Sequence, residues 1–286
     1  MHAFYRISDA SYQKMKLPVC TKRYCLGVFT QEFWWDDIYY TIIADRCSES
    51  LEYIRKNIWQ DMRVETDLGN AGSFRRALRM ASLLADDEIV YFVEDDYFHG
   101  GGCANVIMDA PPYDYWTAFD HPDKYEKQYG HGEIGKVIRT KHTHWRETVS
   151  NTMTFACRAG TIKRDMGIWL RYTEGNLPQD HFAFEHLNRL GRKLVCAIPG
   201  RAWHTDLTES MKAGKLMFDI ECFDELIDHA ARCAGYYYED GGEHADYIDE
   251  LKWQVTQAYE TEDRMKALVP LIELEKKLKE KKGRYH

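Results

Sequence analysis

Hydrophobic and polar positions follow two alternating periods along the first part of the chain. "AFYRIS" is a short apolar stretch that ends at Ser8 and Asp9 and reads as a strand. Thr21 then stands as the N-cap of a helix that gathers Cys25, Val28, Phe29 and Phe33 on one face. "YYTIIAD" predicts a second strand ending at Asp45, and Ser48 is placed to cap a helix through "ESLEYIRKNIW". "RVETD" predicts a third strand ending at Asp67, after which "LGNAGSF" turns into a helix through "RRALRMASLLA". Ile89 to Val93 is β-branched and aromatic, as in a strand buried on both faces. Strand and helix alternating at this spacing predict an α/β fold: an open, mostly parallel sheet with helices on both faces. In such sheets the ligand lies outside the carboxyl ends of the strands. Asp9, Asp45, Asp67, the Gly69–Gly72 turn and Glu94–Asp96 all fall there.

From about Gly100 to His144 the periodicity is poor apart from "YWTAF", which predicts loops around one strand. "TMTFACR" predicts a strand, followed by a helix from Thr161 to about Arg171. Pro178 opens a helix, "PQDHFAFEHLNRLG", that stops at Gly191. "KLVCAIP" is a further strand leading into "GRAWHTD". Beyond Glu209 the pattern is helical, with a kink or restart at Pro270. The expected organisation is a sheet domain over residues 1–208 and an α-helical C-terminal extension over 209–286.

Composition narrows the class. With 286 residues, 44% hydrophobic and 29% charged, the chain is an ordinary soluble globular one. No apolar run approaches the ~20 residues of a membrane span. The N-terminus lacks the apolar core of a secretory signal, so the expected location is cytoplasmic, or host-cytoplasmic for a phage or viral protein. The eight Cys show neither a CxxC pair nor zinc-like spacing and are expected to stay as thiols. A net charge of −8 argues against a general nucleic-acid coat protein.

The chemistry concentrates in "VEDD". Glu94, Asp95 and Asp96 arrive with no Lys or Arg beside them, and such neighbours repel unless a cation sits among them. Mg2+ or Mn2+ suits hard oxygen ligands at a strand end; the alternative is an acidic turn capping a helix. His142 and His144 lie in a polar stretch without a third ligand and are expected to be exposed or on the acceptor side. At a helix N-terminus, Asp180 is expected to have its pKa lowered by the dipole, with desolvation acting the other way.

"VYFVEDD" resembles the acidic DxD motif of GT-A-fold glycosyltransferases, in a Glu-Asp-Asp form. "IIADRCSES" resembles the "DDGS" segment of family 2 members, with Asp45 and Ser48 at matching positions. "GNAGSFRRAL" resembles that family's Asn-x-Gly helix start, although Arg75 and Arg76 come one or two residues before its usual Arg-Asn pair. "LPQDHFAF" is similar to the catalytic acidic motif, with Asp180 in the base position and Gln179 where an acid is common. "AWHTD" places His204 where many GT-A enzymes carry a late metal-binding His. The N-terminal "YRISDASYQKMKLPVCTK" resembles the opening of uncharacterised phage and bacterial glycosyltransferases.

Covering residues 4 to 206, the resemblance implies a GT-A, Rossmann-like fold with a nucleotide-binding half (1–99) and an acceptor-binding half (100–208). It implies Mn2+ or Mg2+ held by Asp96, Glu94 and His204 on the diphosphate of a nucleotide sugar, with UDP-sugars the preferred donors. Ser8, Asp9, Asp45, Ser48, Asn70, Gly72, Arg76, Glu94 and Asp95 would line the donor, with N–H groups at the third helix start helping with phosphate. Asp180 would be the general base of an inverting transfer to a glycan or a modified DNA base, and the C-terminal helices could support a homo-oligomer. The alternatives are a catalytically silent nucleotide- or carbohydrate-binding protein and a sugar nucleotidylyltransferase. The latter would carry a Gly-rich basic loop after the first strand, which "SDASYQKMKLP" lacks.

Overall fold

The computed structural model describes residues 1–11, 15–59, 62–125, 135–208, 210, 218–234, 243–261 and 264–280. The first half alternates as the pattern predicts: β1 (His2–Ile7), α1 (Lys22–Glu32), β2 (Tyr39–Asp45), α2 (Glu49–Asn57), β3 (Arg63–Thr66), α3 (Gly69–Ala81) and β4 (Ile89–Glu94). Then come β5 (Tyr97–His99), α4 (Cys103–Met108), β6 (Tyr115–Thr117), β7 (Val137–Arg139), β8 (His144–Thr148) and β9 (Phe155–Arg158). They are followed by α5 (Ala159–Arg171), α6 (Asp180–Arg189), β10 (Leu194–Ile198), β11 (Ala202–His204), α7 (Ile220–Cys233), α8 (Glu243–Glu260) and α9 (Leu268–Glu280).

The main sheet has nine strands in the order β3-β2-β1-β4-β9-β6-β10-β8-β7, and β5 pairs with β11 in a separate ribbon. β1 to β4 are mutually parallel, and β9 runs against both β4 and β6. β6 and β10 are parallel to one another and therefore to β4, so the carboxyl ends of β1 to β4, β6 and β10 share one edge. The fold is mixed α/β, as expected.

Local chemistry sets two of the expected boundaries. Thr21 caps α1 by accepting the Tyr24 N–H at 3.1 Å. α6 stops where Gly191 takes a φ of +82°, and Arg192 N–H donates back to the Leu187 carbonyl at 3.0 Å.

Several expectations are corrected. Ser48 occupies the N-cap position of α2 but makes no capping bond. Instead Asp9 reaches over from the end of β1, and its Oδ2 accepts the Ser48 and Ser50 N–H groups at 2.7 and 2.8 Å. The Gly69–Gly72 segment is the first turn of α3 rather than a loop before it. α5 begins at Ala159, and α6 begins at Asp180, two residues after Pro178. Pro270 lies in the first turn of α9, where a missing N–H removes no helical bond, and the restart falls two residues earlier, where a 3-10 turn over Arg264–Ala267 passes into the helix at Leu268. The stretch 100–144 holds α4, β6 and β7 and reaches the start of β8. Elements of three to six residues are too short to display a period.

Two hydrophobic clusters hold the chain together. The first surrounds the main sheet, where Phe155 stacks on Trp169 at 4.9 Å and both meet Phe184 edge-on. The second joins α7, α8 and α9 to Tyr24, Cys25 and Val28 of α1 and to Phe98 and Trp203 of the β5–β11 ribbon. The C-terminal helices thus back the ribbon, and Trp203 Nε1 donates to Asp219, the N-cap of α7, at 3.0 Å. Among the described residues no helix is long and apolar enough to cross a membrane.

Candidate active site

The acidic run leaves β4 where three neighbouring elements supply what the local sequence lacks. Arg6 lies beside Glu94 in the parallel β1–β4 register. Its Nη2 donates to Glu94 Oε1 at 2.5 Å, and its Nη1 donates to Asn70 O and Oδ1 at 2.8 Å each. Lys22, the first residue of α1, places Nζ 3.1 Å from Asp95 Oδ2, and the Ser8 N–H donates to the same oxygen at 3.0 Å. The cation that the sequence leaves missing beside these acids is thus supplied to Glu94 and Asp95 by Arg6 and Lys22 from other elements. Burial raises the Asp95 pKa, Lys22 opposes it, and Asp96 adds to it.

Asp96 is held differently. Its carbonyl accepts the Thr205 N–H at 2.8 Å and the Thr205 hydroxyl at 3.0 Å. Oδ2 lies 3.2 Å from Nε2 of His204, which the β5–β11 register pairs with Tyr97. Tyr97 stacks against the imidazole with ring centres 5.0 Å apart, and its hydroxyl meets Thr152 Oγ1 at 2.5 Å. Burial pushes the Tyr97 phenol well above its ordinary pKa, with Asp96, Glu94 and Asp180 adding to the shift. Three carboxylates therefore act on one buried ring at this corner. Asp180 opens α6 and accepts the His181 N–H at 2.9 Å. Burial raises its carboxyl above the usual range, against that N–H and the charges of His181 and Arg6. The dipole expectation is thus outweighed by desolvation.

The other expected donor residues divide. Asn70 is brought into the cluster by Arg6. Asp45 is turned away from solvent: Oδ1 accepts the Thr66 hydroxyl and Leu68 N–H at 2.7 and 2.6 Å, and Oδ2 accepts the Gly69 N–H at 3.0 Å. With Ala71 N–H donating to Asn176 O at 3.1 Å, the N–H groups at the start of α3 are largely spoken for. Gly72 allows a close approach, since a Cβ there would meet the Leu68 Cβ at 2.7 Å. Arg76 is exposed on α3, while Arg75 donates to the Thr173 carbonyl. Asp9 and Ser48 form the α2 cap already described. Burial works to raise the Asp9 pKa, but the Ser50 hydroxyl and the two N–H bonds bring it below the ordinary value. His142 and His144 are exposed.

Arg6, Lys22 and Tyr97 escaped the sequence reading. Arg6 had a signal: an Arg inside a strand expected to be buried demands a carboxylate on an adjacent strand. Tyr97 had none, because the β5–β11 pairing spans about a hundred residues of chain.

Among the described residues no group of three or more His, Cys, Asp or Glu is gathered closely enough to hold a metal ion. Asp96 and His204 offer one carboxylate and one imidazole in contact. That donor set fits Mn2+ or Mg2+ bound chiefly through a substrate's phosphates and water.

No protein-family model matches the chain, and no curated protein matches it. Solved structures similar to it include the galactosyltransferase LgtC in complex with donor and acceptor sugar analogues, with a TM-score of 0.41 and 11% identity over 68% of this chain and 73% of that one. An active-site mutant of LgtC is similar at a TM-score of 0.39 and 10% identity, covering 68% of this chain and 72% of that one. A nucleotidyl transferase from Methanothermobacter thermautotrophicus is similar at 0.40 and 12%, covering 69% of this chain and 87% of its own. Likenesses this distant assign neither a family nor an activity, and the family 2 expectation gains nothing from them.

Proposed function

We propose that this protein is a nucleotide-sugar-dependent glycosyltransferase of GT-A type, working where the end of β4, the β5–β11 ribbon and the start of α6 meet. The observation that supports this reading is the Asp96–His204 contact stacked beside Tyr97, which brings the last acid of the run and the late His together from segments about a hundred residues apart.

Asp180 takes the proton from the acceptor hydroxyl as that oxygen attacks the anomeric carbon. Its raised pKa makes it a better base than an exposed carboxylate, and a positioned base contributes ~10²–10⁴ in rate. Attack from the face opposite the diphosphate inverts the anomeric configuration. Asp96 and His204 would hold Mn2+ or Mg2+, which when bound supplies Lewis-acid stabilisation of the departing diphosphate. Ser8, Asn70 and Asp95 line the donor's side of the corner, with Arg76 at its rim. Asp9, Asp45 and Ser48 support the loops around it. A UDP-sugar is the favoured donor, and a glycan or a modified DNA base the acceptor.

A second reading, a silent nucleotide- or carbohydrate-binding protein, draws on the pairing of Glu94 and Asp95 with Arg6 and Lys22, which stabilises the acidic run without a metal. Thermal shifts with UDP-, GDP-, dTDP- and CMP-sugars, with and without Mn2+, are to be combined with an assay for nucleotide release. A Mn2+-dependent shift with slow nucleotide release supports the transferase. A shift without release from any donor, under any acceptor tried, leaves the binding protein. No shift at all sinks both.

A further inference from the structure

The end of the main sheet opposite β3 carries charge of one sign. From Lys136 to Arg146 the chain reads "KVIRTKHTHWR", with four basic residues, two histidines and no acid, in a protein whose net charge is −8. β7 and β8 close the sheet there, and their register pairs Arg139 with His144 and Val137 with Arg146. Side chains paired across two strands point to one face. These four therefore share a face, while Ile138 and Trp145 take the other, against the core. Val137, Arg139 and His144 are exposed, as are Lys141 and His142 in the turn. The nearby acids are engaged: Asp109 accepts the His142 N–H at 2.9 Å, and Glu147 accepts the Tyr113 hydroxyl at 3.1 Å. Among the described residues no carboxylate is ion-paired with Arg139 or Lys141.

Arg146 is the buried member of this face. Its Nη2 donates to Asp120 Oδ1 at 2.7 Å, and its guanidinium lies 4.6 Å from the centre of the Tyr125 ring. The Tyr125 hydroxyl donates to the same carboxylate, yet the residue is 61% exposed. A ring fixed at its hydroxyl, laid on a guanidinium and still open to solvent is preorganised to stack on a flat partner. We infer that this face binds a single-stranded nucleic acid, with Arg139 and Lys141 on phosphates and one base on Tyr125. An acidic glycan offers similar charges, but a flat ring held by a buried ion pair favours a base, which presents a whole π-face. The surface stands on register and charge alone. Its use for an acceptor rests on the transferase reading, through Phe119, which precedes Asp120 and meets Tyr97 edge-on at 5.5 Å.

Fluorescence anisotropy of a labelled oligothymidylate tests this on the full chain, without donor or metal. A length of about 20 nucleotides exceeds the ~4–16 that one binding fold covers. Binding is expected at low salt and should weaken as salt rises. Arg139→Ala combined with Lys141→Ala removes two phosphate contacts, so the slope of log affinity against log salt should become shallower by about 1.4, at ~0.7 per contact. Tyr125→Leu should keep that slope and weaken binding at every salt concentration by between about fivefold and a hundredfold. Arg139→Glu should weaken binding far more than Lys276→Glu, an equal change of net charge at an exposed position on α9. All four positions are exposed, and unchanged melting temperatures check that the variants fold.

Equal losses from Arg139→Glu and Lys276→Glu reduce the effect to net charge and overturn the inference. Displacement of the oligonucleotide by alginate at equal charge concentration, with no effect of Tyr125→Leu, makes the face a site for acidic glycans and overturns it too. No binding at low salt has the same consequence. None of these outcomes touches the transferase reading, since the donor-dependent thermal shift and nucleotide release are measured without any oligonucleotide.

Discussion

Asp9 and Asp45, on the β1–β2–β3 wing of the sheet, give both carboxylate oxygens to the protein's own N–H and hydroxyl groups. Asp96 Oδ2 instead meets the His204 imidazole, and Asp180 Oδ1 the His181 N–H. Asp9, Asp45 and Asp96 stand at or just after the carboxyl ends of β1, β2 and β4, whereas Asp180 is the first residue of α6. The difference lies in what the adjoining segment offers. On the wing the next helix starts within a few residues, and its orphan N–H groups capture the nearest acid. At the corner the next element is a short strand that pairs with β11, so the acid meets a side chain brought by a distant segment. What a strand-end carboxylate meets thus depends on whether a helix start or a paired strand follows it.

The largest effect that sharpens this contrast is on turnover. Asp180→Asn is expected to lower the transfer rate by ~10²–10⁴, while the donor-dependent thermal shift survives; loss of binding with loss of rate would make Asp180 a structural residue instead. Because its pKa is raised, the acid limb of the wild-type kcat/KM profile should fall above the ordinary carboxylate range. The same shift means that Asp180 binds its proton more tightly in the folded protein. Its contribution to stability therefore improves as pH falls through the folded value towards the unfolded one.

Asp96→Asn comes next. It should abolish the Mn2+-dependent part of the nucleotide shift, worth about 2.7 kcal/mol at a hundredfold excess of ligand over Kd, with little change in the melting temperature of the unliganded chain. Asp45→Ala should do the reverse. It strands the Leu68 and Gly69 N–H groups, costing about 3 kcal/mol in denaturant unfolding, while Mn2+ affinity with nucleotide stays as it was in the protein that folds. A wing residue that changed metal affinity more than stability would break the comparison.

Asp9→Ala removes the α2 cap at a cost of about 1 kcal/mol. Since the folded pKa of Asp9 is depressed, its contribution is present above the unfolded carboxylate value and is lost as pH falls through the folded one. The wild-type and Asp9→Ala stability curves should therefore converge in acid. Smallest of all, His142→Ala and His144→Ala should leave both Mn2+ dependence and melting temperature unchanged, as exposed side chains.

The half of the fold built from β1 to β4 was legible because each element is long enough to show its period and is punctuated by cap and turn residues. Thr21 and Gly191 act as their chemistry predicts. After β4 the longer elements β9, α5, α6 and β10 were legible too, but β5, β6, β7 and β11 were not, because they are three residues each and take their form from their partners. In the candidate site, Asp96, Asp180 and His204 were legible as residue types in motif-like positions. Their grouping was not, nor were the bonds that Asp9 and Asp45 make to their own chain, because a strand-end acid looks the same whether it faces solvent or a helix start.

Local composition determined the α/β class, the order of the first four strands and helices, and the concentration of acid after β4, since these depend on period and caps within a dozen residues. Tertiary structure decided which partner each acid meets. Arg6 meets Glu94 through the β1–β4 register, Lys22 meets Asp95 from α1, and His204 meets Asp96 through β11. Charge compensation operates over a few ångströms of space, and nothing in the spacing of residues along a chain reports a distance across a sheet.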